Sequence, residues 1–191
     1  ATPTGAEPVD TLSASGSFTG KIPHIKIASG YGTAIFYGDF VKLVSTGTVE
    51  KAEVTTSVVA GTVGIFVGCA YTDPSTSQKT FNQQYPASTS ADDIVAYVVD
   101  DPKLLFRMQG DEAIAQTGLG NNISAVNTAG STSIGRSKNA LDGGSIATTN
   151  TLPLRVVDFV DGPSSTVGDA FTDCIVTYLP LSHAYETKLG V

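Results

Sequence analysis

The sequence predicts an all-β protein, an antiparallel β-sandwich or barrel with long loops and little helix, and three observations carry that expectation. Thr, Ser, Gly, Ala and Val dominate, while the helix formers Glu, Lys, Arg and Leu are sparse. The β-branched Thr and Val lose rotamer freedom in a helix and pack well on a pleated surface. Short apolar runs recur between Gly, Pro, Asp and Asn at intervals suited to strands and turns. Only residues 111–116 and the last few residues could make a helical turn, and no internal repeat of constant period is present.

Residues 1–16, ATPTGAEPVDTLSASG, hold few large apolar groups, so they bury too little surface to offset their ordering entropy and are expected to form an arm, flexible or docked. The remainder, 17–191, is long enough for a single β domain, with a division into two subdomains near residue 110 left open. Strands are expected at 21–28, where Ile25 and Ile27 alternate with polar partners, at 33–45 with a break at Gly38-Asp39, and at 48–55. Pro23 marks an edge or a strand start. The run 62–71 is apolar almost throughout and reads as a central strand buried on both faces. A 22-residue polar stretch, 72–93, follows, with Phe81 and Tyr85 as its large apolar groups. Loops of that length in compact domains usually serve a task or are disordered.

Beyond it, 94–99 and 104–108 read as strands joined around Asp100-Asp101-Pro102. The glycine-rich stretch 110–150 offers weaker candidates at 123–126 and 133–141. Residues 152–160 and 170–181 read as an antiparallel pair with a long connection.

Charge and composition narrow the function. A formal net charge of −7 disfavours nucleic acid and anionic lipid as partners. No apolar run approaches the roughly 18 residues that span a bilayer. The opening at Ala1, without a charged-then-apolar leader, reads as loss of an initiator Met. Cys69 and Cys174 each sit in an apolar run and read as buried free thiols, with a disulfide as the alternative.

Catalysis requires converging titratable groups, and the two histidines, His24 and His183, are far apart in sequence. There is no nucleophile elbow, and Gly118-Leu-Gly120 lacks the third glycine of a dinucleotide fingerprint. The acidic pairs Asp92-Asp93, Asp100-Asp101 and Asp111-Glu112 lack the spacing of a calcium loop and read as solvated turn acids. Asn122-Ile-Ser124 matches the glycosylation sequon, a frequent chance match. No enzyme activity, cofactor or metal is expected. The abundance of neutral polar residues, with Tyr spread along the chain, suits a protein-binding surface instead.

Three segments, YGTAIFYGDFVKL at 31–43, VGIFVGCAYTD at 63–73 and YPASTSADDIVAYVVDDP at 85–102, resemble structural proteins of tailed bacteriophages, including uncharacterised virion proteins of marine phages. That resemblance covers the chain from about Gly30 onward. Over residues 30–71 the chain is also similar to small β-barrel capsid decoration proteins. The long 72–93 loop and the glycine-rich second half depart from those shorter, often trimeric proteins. The resemblance implies a capsid-associated decoration (cement) protein on the virion surface that binds major capsid subunits as a homo-oligomer, a trimer being favoured. The alternative is a glycan- or receptor-binding module of a head or tail fibre. The candidate interface residues are Phe81, Tyr85, Tyr31 and Tyr37.

Overall fold

A computed structural model of the chain describes residues 2–13, 20–55, 61–180, 182–187 and 190. Residues 1 and 14–16 of the expected arm, and Leu181 at the end of the last expected strand, lie outside the described residues. In chain order the strands are β1 (Glu7–Thr11), β2 (His24–Lys26), β3 (Phe40–Leu43), β4 (Val49–Lys51), β5 (Thr62–Thr72), β6 (Lys79–Asn82), β7 (Val95–Val99), β8 (Leu104–Gln109), β9 (Asn122–Val126), β10 (Ala140–Ala147), β11 (Leu154–Phe159) and β12 (Asp173–Tyr178). Two short 3-10 turns, Gln116–Gly118 and Ala184–Glu186, are the helical elements among the described residues.

The strands form an antiparallel sandwich of two six-stranded sheets. The outer sheet runs β1-β8-β12-β11-β9-β10, and the inner sheet runs β2-β7-β5-β3-β4 with β6 paired to the C-terminal part of β5. Between the sheets, Phe40, Ile65 and Val99 of the inner sheet meet Leu104, Phe106, Ile123, Leu154 and Val176 of the outer one. Phe40 packs edge-on against Phe106 at 5.6 Å, and Phe106 lies 5.2 Å from Tyr178, so three aromatic rings bridge the layers. This core draws on residues from both sides of position 110.

The inner sheet also buries its opposite face. There Val41, Val63, Phe66, Cys69, Ala96 and Val98 pack under Ile27, Ile35, Tyr85 and Ile94, which belong to the connections before β3 and β7. The strand β5 therefore contributes to two cores, as expected for a run with no polar alternation. Its side chains do not simply alternate. Register shifts opposite β3, between residues 62 and 64, and opposite β7, between residues 66 and 68, each insert one residue. A bulge of this kind reverses the phase of every later side chain. Ile65 thus faces the outer sheet, whereas Val63, Phe66, Cys69 and Tyr71 face the loops. Gly64 is obligatory between the two bulges, since a Cβ there would sit 2.1 Å from the Val99 carbonyl oxygen.

Several segments differ from expectation for identifiable reasons. Within the expected arm, Glu7–Thr11 is ordered as β1 along the edge of β8. Backbone hydrogen bonding to an open strand edge supplies what side-chain burial alone would not. Pro8, which has no N–H, then limits further pairing on the outward edge. Within the expected loop, Lys79–Asn82 is a strand, again held by backbone pairing with β5. The expected strand at 133–141 is instead a loop up to Asn139, and β10 begins at Ala140. Ser137 and Asn139 are drawn away from the sheet by Asp39.

Asp39 is fully buried and joins three segments, the entry to β3, β4 and the loop before β10. Its Oδ1 accepts from Ser137 Oγ at 2.6 Å and Asn139 Nδ2 at 3.3 Å, while Oδ2 accepts from Phe36 N at 3.0 Å and pairs with Lys51 Nζ at 3.1 Å. The adjacent Gly38 has φ +88°, and a Cβ there would stand 2.9 Å from the Thr4 carbonyl, so the N-terminal segment crosses where only glycine fits. Replacing Asp39 by Asn preserves volume but leaves Lys51 unpaired and turns an amide NH2 toward donors. Removing one partner of a buried pair is costly, so a loss of about 3 kcal/mol is expected in urea unfolding.

Candidate functional site

The polar stretch 72–93 is ordered by hydrogen bonds rather than by apolar burial. Asp73 accepts from Ser75 N, Ser75 Oγ and Thr76 N to shape the turn between β5 and β6, and these bonds hold its carboxyl below the usual carboxylate range. Asp93 ties the two ends of the stretch together. It accepts from Thr72 N at 2.9 Å, Thr72 Oγ1 at 2.8 Å and Lys79 Nζ at 2.7 Å, and the Lys79 bond is the main reason its carboxyl is held well below the ordinary value. Being surface-exposed, this cluster shapes the loop while contributing little net stability.

On this frame the four candidate interface residues separate. Phe81 is 71% exposed on β6, whose described strand partner is β5 alone. Among the described large apolar side chains it is the most exposed, an aromatic ring held in water on an edge strand. Tyr85, by contrast, is fully buried and belongs to the loop-side core, which corrects its assignment to the interface. Its backbone pairs with Ile35 in both directions, its hydroxyl donates to the Tyr31 carbonyl at 3.0 Å, and burial pushes its phenol upward. The sequence presented Tyr85 as one apolar group in a polar run. The strand-like bridge to Ile35 is what carries it inside.

Tyr31 and Tyr37 are half-buried. Tyr31 lies 6.1 Å from the Tyr85 ring, and its hydroxyl accepts from Lys51 N. Tyr37 donates its backbone N–H to Gly135 and stacks beneath the Arg136 guanidinium at 5.2 Å. Arg136 also pairs with Glu7 of β1. The loop at 131–137 brings one further apolar group to the surface, Ile134, 56% exposed. Its neighbour Gly135 abuts the Gln83 side chain, two residues beyond Phe81. Ile134 escaped notice because a lone Ile in a Ser, Thr and Gly run reads as the interior residue of a weak strand.

The nearby charges are satisfied internally: Lys79 with Asp93, and Arg136 with Glu7. The surface around Phe81 is therefore neutral and polar with apolar points. A groove of about 270 Å³ at the edge of the outer sheet is lined by Thr2, Thr4, Glu7, Arg107, Gln109 and Asp173, and its charged groups are likewise committed, Arg107 to Asp173 and Glu7 to Arg136.

The remaining candidates take simple positions. His24 is exposed on β2, edge-on to Tyr97, whereas His183 is buried after β12. Cys69 and Cys174 are free and buried, one in each sheet, with burial pushing each thiol up to about 12. Asn122 is 4% exposed, and its amide donates to the Thr149 carbonyl, so this sequon is closed to a glycosylating enzyme in the folded chain. Asp111 and Glu112 are joined by Asp142 across the sheet edge, with carboxylate oxygens within 4.8 Å of one another. Asp111 already accepts from Gly143 N, and three surface carboxylates fall short of the six to eight oxygens a calcium ion takes.

Phe81→Ala is expected to leave the unfolding free energy within about 0.5 kcal/mol of the parent, whereas Tyr85→Ala should cost roughly 3–5 kcal/mol by opening a cavity in the loop-side core. Denaturant titration of the two variants checks both. Compared with known proteins, the chain matches no family model, no curated protein and no solved structure.

Proposed function

We propose that this β-sandwich is a non-enzymatic binder of protein surfaces, and specifically a capsid-associated decoration (cement) protein that stabilises a bacteriophage head by binding major capsid subunits. The observation that carries the binding role is Phe81. It is a large aromatic group exposed on a strand that hydrogen bonds hold in place, two residues before Gln83, whose side chain abuts the loop carrying the exposed Ile134, and the Lys79–Asp93 and Arg136–Glu7 charges in this part of the fold are already paired. Rigid aromatic anchors surrounded by neutral polar groups supply binding energy with little ordering cost. The capsid assignment rests on the resemblance of 31–43, 63–73 and 85–102 to tailed-phage structural proteins.

The mechanism would be mass action. A protein that binds the assembled shell, and not its dissociated subunits, stabilises the shell by about 2.7 kcal/mol per site at a free concentration 100 times the dissociation constant. Repetition over many equivalent sites multiplies a modest term. A trimer or other homo-oligomer fits the same reading, because a symmetric shell presents symmetric sites.

Phe81→Ala and Phe81→Glu should lower occupancy on empty capsids in co-sedimentation by about tenfold or more, which corresponds to the roughly 1.4 kcal/mol or more that an aromatic anchor contributes. Because the local charges are paired, binding by the parent should change little between low and moderate salt. Unchanged occupancy in both variants would overturn the role of Phe81. Capture of polysaccharide by the isolated protein would favour the glycan-binding alternative. Deleting residues 1–16 is a poor substitute for these point variants, since it removes β1 and uncovers β8.

A further inference from the structure

His183 occupies the seam where the end of the outer sheet meets the start of β5. Its ring is fully buried, edge-on to Tyr178 at 5.3 Å and to Tyr185 at 5.1 Å, and the short turn that follows it packs against β5. Nδ1 accepts the backbone N–H of Tyr185 at 3.3 Å, and the backbone N–H of Glu186 closes onto the His183 carbonyl at 3.0 Å. A ring that accepts at Nδ1 must carry its proton on Nε2, so it is neutral. Nε2 is sealed from solvent. It makes no full hydrogen bond, although the Val63 carbonyl lies on that side. Two further buried groups at this seam, Tyr178 Oη and Ser182 Oγ, have no hydrogen-bond partner.

We infer that residues 182–187 form an acid-released latch, in which protonation of His183 detaches the segment from the seam between the two sheets. Adding a proton at Nδ1 turns an acceptor into a donor. It breaks the Tyr185 N–H bond and places a cation among aromatic rings without water. Tyr178 from β12 and Tyr185 from the turn itself touch the ring, Asp100 and Asp101 of the connection between β7 and β8 act on it electrostatically, and β5 turns its Val63 backbone to it. The two carboxylates favour the charged ring, and burial outweighs them, which leaves the imidazole below its ordinary value of 6.5.

The sign follows from that ordering. The detached segment binds a proton more readily than the docked one, so docking is strongest above pH 6.5 and weakens as the pH falls from there toward the lowered value. One proton can raise the opening constant by up to about tenfold per pH unit over that interval.

Amide hydrogen exchange of the full chain, corrected for intrinsic rates, tests the latch. Protection of the Tyr185 and Glu186 amides should fall from about pH 7.5 to about pH 5, while amides of β8 and β12 keep theirs. His183→Phe, which fills the site without titrating, should flatten that dependence. Asp100→Asn is a second variant on a side chain outside the aromatic seam. By removing a neighbour that favours the docked cation, it should move opening to higher pH. Flat protection in the parent, an unchanged pH dependence in His183→Phe, or an Asp100→Asn variant that opens at lower pH would each overturn the latch. The last outcome would show that Asp100 does not favour the protonated ring.

Discussion

The structure depends on one buried carboxylate. Asp39 lies where the N-terminal segment, the entry to β3, Lys51 of β4 and the loop before β10 meet, and each of its oxygens takes two partners. An unpaired charge there would be too costly to retain, so the entry to β3, β4 and the loop before β10 are held to one another by the need to satisfy it, while the N-terminal segment joins next door through Ala6 N and the Gly38 carbonyl. Its backbone takes part as well: the Asp39 carbonyl accepts from Phe66 N, and Gly38 N donates to the Phe66 carbonyl. The central strand β5 is thereby registered against the same residue that anchors the loop carrying Ser137 and Asn139.

That registration lets one sheet carry two cores. A sheet in an ordinary sandwich is apolar on one face and wet on the other. Here the inner sheet is covered by the outer sheet on one side and by the connections before β3 and β7 on the other. The bulges in β5 divide its side chains between these layers, and the Ile35–Tyr85 bridge closes the loop layer as a short stretch of sheet would. Residues in nominal loops are consequently among the most buried in the molecule, which is why Tyr85 is a core residue and Phe81, four positions earlier, is not.

The surface follows from the same economy of charge. With 15% charged residues, the chain spends several of them on internal ties, among them Lys79 with Asp93, Arg136 with Glu7 and Arg107 with Asp173. What remains outward includes a few apolar points, among them Phe81 and Ile134, set among hydroxyl and amide groups and the remaining, mostly acidic, charges. The opposite end of the molecule is different in kind. At the seam near Tyr178 a histidine is kept neutral by burial, so the C-terminal segment and the Phe81 region respond to different conditions.

Local chemistry in the sequence determined the fold class, the central strand at 62–71, the antiparallel pair ending in Asp173–Tyr178 and the burial of both thiols. Each of these depends on residue type and apolar runs, which a linear reading can weigh. Only tertiary structure decided that Glu7–Thr11 and Lys79–Asn82 would be strands, because their stabilisation comes from backbone bonds to distant partners and not from their own side chains. The same holds for the phase of β5, which inserted residues reset without any mark in the composition, and for the separation of Tyr85 from Phe81, which depends on a bridge fifty residues away. The latch at His183 was equally hidden. A single histidine near a chain end carries no signal until the fold brings Tyr178, Asp100 and β5 around it.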